Sequence, residues 1–201
     1  MIKKKPILIE PSATPTRCGW ANVNNPLYLH YHDEEWGVPC HDELRLFEML
    51  NLEGAQAGLS WETVLNKREN YCAAFDGWDA VKIATYDADK VAELLGNAGI
   101  IRNRLKVAAT ITNAQAYLRM CDELGGLDPY LWAYVDGKPV QGNWGNGNPS
   151  PAKTALSDAI SKDLLKRGFK FVGSTIIYAY LQGIGLVDDH TAACFRHHGA
   201  K

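Results

Sequence analysis

Hydrophobic residues recur at three- and four-residue intervals along much of this chain, which is the spacing of amphipathic α-helices. The pattern predicts helices that begin after Asp42, Ser60 and Asp87, because each of these side chains can cap a helix N-terminus. A longer amphipathic run extends from about Arg102 to Leu124 and stops at a pair of glycines. From residue 42 to residue 124 the chain is therefore predicted to be largely helical.

Two more helices are predicted near the C-terminus. Ser157 can cap one, which Gly168 ends, and the other spans about Val172 to Gln182. Before them, residues 136–151 are rich in Gly, Asn and Pro, which predicts a long surface loop. No stretch alternates polar and apolar residues with a period of two, and no βαβ pattern or internal repeat occurs. The predicted fold class is all-α.

The composition is that of an ordinary globular protein. The 201 residues are 46% hydrophobic and 22% charged with a formal net charge of −2, so nucleic-acid binding would need a local basic patch. The N-terminal apolar run, residues 6–9, is too short for a signal peptide, and no stretch approaches the roughly 20 apolar residues that span a bilayer. The five cysteines are widely spaced, which argues against a disulfide framework. We expect a cytoplasmic protein without a membrane partner, whose residues 1–16 form a flexible extension.

Cysteine and histidine occur in pairs at the two ends of the chain. Cys18 and His32 lie near the start, and His190 and Cys194 lie near the end. If the last pair occupies one helical turn, its four-residue spacing places both side chains on one face, and two sulfurs with two nitrogens suit a closed tetrahedral zinc site. The spacing alone favours isolated cysteines and solvated histidines instead. The residues that could substitute as ligands are Cys40, His30, His41, His197 and His198.

Residues 94–109, LLGNAGIIRNRLKVAA, predict two helices joined by a tight turn. Backbone N–H groups at the start of the second helix favour a phosphate, and Arg102, Arg104 and Lys106 follow at once. These residues are a candidate clamp for one DNA backbone segment. An ordinary helical hairpin with a solvated basic first turn fits the same residues.

Residues 52–65, LEGAQAGLSWETVL, place Glu53 at one end of an apolar segment and Trp61 near the other. The other aromatic residues of this candidate pocket precede it in the chain: Trp20, Tyr28, Tyr31 and Trp36. Aromatic faces beside a carboxylate suit a flat, cationic heteroaromatic ligand. The alternative is that the aromatic residues belong to the core and that an arginine pairs with Glu53.

Seven blocks of the sequence extend from Arg17 to Cys194: RCGW, YHDEEWGVP, LFEML, LEGAQAGLSWETVLNKRENY, AGIIRNRLK, KRGFKFVGSTIIYAYLQGIGLV and DDHTAAC. Together they resemble the bacterial 3-methyladenine DNA glycosylase I family. The resemblance implies a helix-hairpin-helix DNA glycosylase fold with a zinc site that joins the N- and C-terminal segments. Residues 17–201 would form the glycosylase domain, with two helical lobes. One structural Zn2+ ion per chain would be bound by Cys18, His32, His190 and Cys194.

The resemblance also assigns roles to individual residues. Glu53, Tyr31 and Trp61 would recognise the base, and Trp20 and Trp36 would line the pocket. Leu59 would be a wedge in the base stack, and the hairpin would contain Gly99, Ile100 and Arg102. Beyond the resemblance, we expect Glu53 to be the catalytic residue, as the main electrostatic contributor, and Arg104 to contact DNA together with the hairpin.

Together these features predict a monomeric, monofunctional enzyme that removes N3-methyladenine from alkylated double-stranded DNA and leaves an abasic site. The methylated base is cationic and already a good leaving group. No carboxylate occurs in residues 107–115 after the hairpin, so we expect catalysis by selective binding of the charged base. The competing hypothesis is a zinc-stabilised module that recognises damaged DNA without cleaving it. A zinc hydrolase is disfavoured, since four protein ligands leave the metal no open position.

Overall fold

The computed structural model describes residues 15–142 and 150–197, and these residues are mostly helical. The predicted N-terminal extension lies outside them except for residues 15 and 16, and residues 143–149 of the predicted loop at 136–151 also lie outside. Thr16 already contacts the far end of the chain, because its carbonyl accepts a hydrogen bond from the Phe195 N–H at 2.9 Å.

The described α-helices range from one turn to nearly six turns in length. They are α1 Pro26–His30, α2 Glu43–Gln56, α3 Trp61–Leu65, α4 Arg68–Ala74, α5 Ala80–Ile83, α6 Ala88–Gly96, α7 Arg104–Leu124, α8 Leu127–Trp132, α9 Ala155–Lys166 and α10 Ser174–Gly183. A π-helical segment, Tyr31–Glu35, continues directly from α1, and two short 3-10 helices span Asp76–Trp78 and Ala133–Val135.

Side-chain caps fix the helix starts that the sequence predicts. Asp42, Ser60 and Asp87 accept backbone N–H groups of α2, α3 and α6, which confirms these three starts. Asn103 caps α7, which ends as predicted before Gly125, a residue with a left-handed φ of 88°. The long amphipathic run is therefore a single helix.

Two sequence predictions about local structure need correction. Ser157 is not the cap of α9: Thr154 is, and Ser157 completes a capping box with it from the third helical position. The all-α prediction misses two short strands, β1 Val140–Gln141 and β2 Val187–Asp188, which pair in parallel. Two-residue strands are too short to produce an alternating pattern, so the sequence carries no signal for them.

Helix α2 lies at the centre of the fold and packs against α3, α7, α8 and α10. Five of its buried hydrophobic residues are at most 1% exposed: Leu46, Phe47, Met49, Leu50 and Leu52. Residues 46–55 are all buried, including the polar Glu48 and Asn51, so this part of the helix is surrounded by protein, and Glu53 directly follows Leu52 within it. Within the described residues, no helix is both long enough and apolar enough to cross a membrane.

Candidate functional site

Glu53 is a buried carboxylate without a counter-ion among the described residues. Its exposure is 3%, and its Oε2 atom has no hydrogen-bond partner within the described part of the chain. Burial raises the pKa of Glu53 to about 8, because the charged form loses hydration that no protein group replaces. A carboxyl group in this state can pair with a cationic ligand that enters from solvent.

The two arginines nearest to Glu53 in the sequence, Arg45 and Arg68, pair with other carboxylates. Arg68 donates to both carboxylate oxygens of Glu48, at 2.8 and 2.6 Å, and to Glu35 at 2.8 Å. Arg45 also pairs with Glu35. The alternative that an arginine neutralises Glu53 is therefore wrong.

Tyr31 lies near Glu53 and packs against Trp61. Their ring centroids are 5.1 Å apart with planes tilted by 45°. A Cβ atom built on Gly183 of α10 would lie 3.0 Å from the Tyr31 hydroxyl and 3.7 Å from Glu53 Oε1, so both polar groups converge on this glycine. The Trp61 Nε1 atom is buried and has no acceptor among the described residues. The structure thus brings three of the predicted pocket residues together, with a donor and an acceptor left unpaired.

Trp20 and Trp36 pack mainly toward the two ends of the chain. Their ring centroids are 4.8 Å apart, and Trp20 lies 5.0 Å from His32 while Trp36 lies 4.7 Å from His190. Tyr28 makes an edge contact with Trp20 at 5.7 Å. These contacts place the two tryptophans against the candidate metal ligands, and their predicted role in lining the base pocket stays a prediction.

Tyr28 belongs to the aromatic cluster predicted from the sequence, which assigns it no role. Burial raises the pKa of the Tyr28 hydroxyl, and the nearby Glu62 and Glu53 carboxylates raise it further. It precedes Tyr31 by three residues, which is about one helical turn, so this spacing was a signal that both rings share a face.

The two cysteine–histidine pairs form one buried cluster. The ligand atoms of Cys18, His32, His190 and Cys194 all lie within 4.8 Å of one another, and no residue is more than 2% exposed. Cys194 Sγ lies 3.5 Å from both His32 Nε2 and His190 Nδ1. The predicted helical turn at residues 190–194 is absent, and an irregular turn closed by the Cys194 N–H on the Thr191 carbonyl joins the last pair instead.

The surroundings of the cluster fit a metal ion. His32 Nδ1 lies 2.7 Å from Asp33, which Arg17 holds in turn, and His190 Nε2 lies 3.0 Å from the Trp36 carbonyl. Metal-binding histidines are typically oriented through their other ring nitrogen in this way. Burial raises the pKa of the Cys18 thiol to about 11 and lowers the pKa of His190 to about 4, and a cation that binds thiolates offsets the first of these costs.

The other possible ligands do not join this cluster among the described residues. His41 pairs with Asp128 at 2.7 Å, His30 lies 3.6 Å from Glu35, and Cys40 and His197 are also outside the group of four. His198 lies beyond the described residues.

Two arginines are exposed at the turn between α6 and α7, and the Gly99 N–H in this turn already has a hydrogen-bond acceptor. Arg102 and Arg104 are exposed, whereas the Ile100 side chain is 3% exposed and packs into the core. The Gly99 N–H donates to the Asn97 side chain at 2.7 Å, so it already has an acceptor within the turn. Any contact of Ile100 with DNA would therefore involve its backbone.

Leu59 is 40% exposed in the turn that links α2 to α3. Its N–H donates to the Gln56 carbonyl at 2.7 Å, and the preceding Gly58 has a φ of +78°, which a glycine adopts without strain. The turn therefore exposes an apolar side chain to solvent, and this residue lies between Glu53 and Trp61 in the sequence.

A family model described as methyladenine glycosylase matches residues 20–197. The chain belongs to the methyladenine glycosylase family. It is 49% identical over 185 residues to DNA-3-methyladenine glycosylase 1 of Escherichia coli strain K12, with 92% of this chain and 98% of that protein covered. It is 46% identical to DNA-3-methyladenine glycosylase of Haemophilus influenzae, with 89% and 96% covered.

Solved structures of this family share the fold. A crystal structure of 3-methyladenine DNA glycosylase I matches with a TM-score of 0.87 at 49% identity, covering 90% of this chain and all of that one. A structure of 3-methyladenine DNA glycosylase I from Staphylococcus aureus, which describes how that enzyme recognises 3-methyladenine, matches with a TM-score of 0.82 at 36% identity. The match covers 85% of this chain and 90% of that one.

The burial of Glu53 predicts a pH-dependent stability gain for Glu53→Gln. The unfolded carboxyl ionises near its ordinary pKa of 4.5, while the folded one keeps its proton up to about pH 8. The stability that the protonated carboxyl contributes is therefore complete below pH 4.5 and is lost as the pH rises to 8. Each pKa unit is worth about 1.4 kcal/mol, so the glutamine variant should exceed wild type by a few kcal/mol above pH 8.

Urea unfolding of both proteins at pH 5, 7 and 8.5 measures this effect. Glu69→Gln, at an exposed position of α4, is the matched control and should show no such trend. A difference between wild type and Glu53→Gln that is the same at every pH would mean that the carboxyl group does not titrate in this range.

Proposed function

We propose that this chain hydrolyses the N-glycosidic bond of N3-methyladenine in alkylated double-stranded DNA, as a monomer, and leaves an abasic site. The observation that carries the proposal is the unpaired carboxylate of Glu53 beside the Tyr31–Trp61 pair. The family supports it, since the relatives from Escherichia coli and Haemophilus influenzae are named for this activity. A similar solved structure is a tyrosine-to-phenylalanine variant of 3-methyladenine DNA glycosylase I in complex with 3-methyladenine.

The charge of the base distinguishes the lesion from ordinary adenine. Methylation at N3 leaves the purine ring with a formal positive charge, and a cation beside Glu53 favours the ionised carboxylate. Aromatic faces attract the same cation. A neutral adenine would offer no compensation for ionising a buried carboxyl group, so the pocket disfavours it.

Cleavage needs little chemistry beyond this recognition. The nucleotide leaves the stack at a cost of about a few kcal/mol. The C1′–N9 bond then breaks, its electron pair neutralises the methylated ring, and a water oxygen bonds to C1′ while its proton passes to solvent. Glu53 holds the charged base in place and stabilises the positive charge that passes to the sugar in the oxocarbenium-like transition state, and it forms no covalent bond. Since no nucleophile is assigned, no lyase activity is expected.

DNA contact is assigned to the turn between α6 and α7 and to Leu59. The turn between α6 and α7 is the hairpin of a helix-hairpin-helix motif, in which Arg102 and Arg104 neutralise phosphates and Gly99 and Ile100 contribute backbone. Leu59 enters the space that the extruded base leaves. The roles of Arg102, Arg104 and Leu59 are supported by their exposure, and those of Gly99 and Ile100 by their place in the turn alone.

The metal cluster is assigned to one structural Zn2+ ion per chain. Two thiolates and two imidazoles are a closed tetrahedral ligand set, which leaves no position for water activation. Because its members come from residues near both ends of the chain, the ion would join the two ends of a single domain from about residue 17.

Glu53→Gln should reduce excision about 10- to 100-fold. The amide keeps the size of the side chain and some hydrogen bonding but cannot supply the charge, and a charge-assisted hydrogen bond is roughly twice as strong as a neutral one. Single-turnover release of N3-methyladenine is the measurement, with Glu69→Gln as the control. Binding of DNA that contains an abasic analogue should barely change. A wild-type rate in the glutamine variant would make Glu53 a structural carboxyl group only.

Replacement of Arg102 or Arg104 by alanine should weaken DNA binding at every sequence. Each lost phosphate contact should also lower the slope of log affinity against log salt by about one. The control is Arg119→Ala, an exposed arginine far along the same helix. An unchanged slope in both hairpin variants would place the phosphates elsewhere.

Purified protein should contain about one equivalent of zinc, and Cys194→Ser should lose it. The loss of a buried ligand should lower the unfolding temperature while the surviving folded fraction still excises base. Cys72→Ser removes a cysteine outside the cluster and should retain the metal. Fully stable protein that holds no metal would contradict the assignment.

A further inference from the structure

Lys106, in the first turn of α7, caps the C-terminal end of α2. Its Nζ atom donates hydrogen bonds to the Ala55 and Ala57 carbonyls, both at 2.7 Å. Carbonyls at the end of a helix lack partners within the helix and favour a cation. Glu53 lies two residues before Ala55, and Leu59 lies two residues after Ala57, so Lys106 holds the segment that carries both.

The hairpin is also attached to α4 on its other side. The Lys67 ammonium donates to the Ala98 carbonyl at 2.9 Å, and the Ile101 N–H donates to the Tyr71 hydroxyl at 3.1 Å. Lys67 and Tyr71 lie six and ten residues after Trp61 in the sequence. The hairpin therefore contacts α4, the helix that follows the Trp61 helix in the chain, and Lys106 makes the contact to the Glu53 segment.

Lys106 differs from the two arginines that precede it. Arg102 and Arg104 are exposed, whereas Lys106 is partly buried and commits two of its three N–H donors to main-chain carbonyls. An ammonium in this position is not free to follow a phosphate. The predicted phosphate clamp contains all three residues, and the hydrogen bonds of Lys106 to two carbonyls argue against its part in that clamp.

We propose that Lys106 is a positioning residue that sets the distance between the DNA-gripping hairpin and the base pocket. Phosphates held by the hairpin then place the extruded base at Glu53 and the gap in the stack at Leu59. Lys106 itself touches neither base nor phosphate. This inference rests on the proposed function, because it concerns excision from DNA.

The test compares Lys106→Met, which keeps most of the stem but removes the donors, with Lys106→Arg, which retains them. Misplacement by about 1 Å can cost 100-fold in rate, so Lys106→Met should slow single-turnover excision about 10- to 100-fold, and Lys106→Arg should recover part of the loss. Affinity for abasic-analogue DNA and its salt slope should stay near wild type, while Arg102→Ala measured in parallel lowers the slope by about one. Affinity for free 3-methyladenine should also change less than twofold, because the pocket itself is intact.

Lys90→Met is the matched control, since this lysine of α6 pairs with Glu93 at 2.8 Å and should excise normally when replaced. A salt slope lowered by about one in Lys106→Met would make Lys106 a phosphate ligand, and a wild-type excision rate would make it a structural cap; either overturns the inference. Weakened binding of the free base would show damage to the pocket and also contradict it. If Lys106→Met does not fold, Lys106→Arg decides, since a geometric role predicts a reduced rate with an unchanged salt slope. Wild-type protein that releases no base would instead overturn the proposed function.

Discussion

The burial of Glu53 without a counter-ion is the constraint around which this site is organised. The carboxyl group follows the apolar run of α2 into the interior, where no described cation reaches it, and its pKa rises to about 8. The protein would be more stable with an apolar or amide side chain in this position. The carboxyl group therefore lowers the free energy of unfolding, and stability does not explain its presence. A cationic ligand removes that cost, which is how a helix of the core becomes a recognition element.

The neighbouring charges are arranged so that Glu53 stays unpaired. Arg68 and Arg45 are close in sequence to the pocket elements, yet each is held by Glu35, and Glu48 takes the rest of the Arg68 guanidinium. Two carboxylates against two arginines make this group neutral. These two arginines therefore leave the Glu53 carboxyl group for a cationic ligand to neutralise.

The candidate metal cluster and the base pocket share one short segment. Tyr31 and His32 are consecutive residues of the π-helical turn, and successive helical residues point in different directions, so Tyr31 meets Trp61 while His32 joins the two cysteines. Irregular helical turns of this type are frequent at functional sites. Trp36, just past the same turn, ties its carbonyl to His190. Fixing the ends of the chain thus also fixes one wall of the pocket.

The sequence by itself determined the long and well-capped helices, because a side-chain cap and a helical period are local signals that α2, α6 and α7 carry in full. The residues themselves suggested a pocket of aromatic side chains with Glu53, and the resemblance of the seven blocks led to the family and gave Tyr31 and Trp61 their roles. The short helices, the two-residue strands and the irregular turn between His190 and Cys194 had no such signal, since they are held by partners distant in sequence. Only the tertiary structure decided that Lys106 faces carbonyls and not solvent, and that Ile100 is core. A side chain's charge is written in the sequence, but whether it is free to act depends on which groups the fold brings within hydrogen-bonding distance.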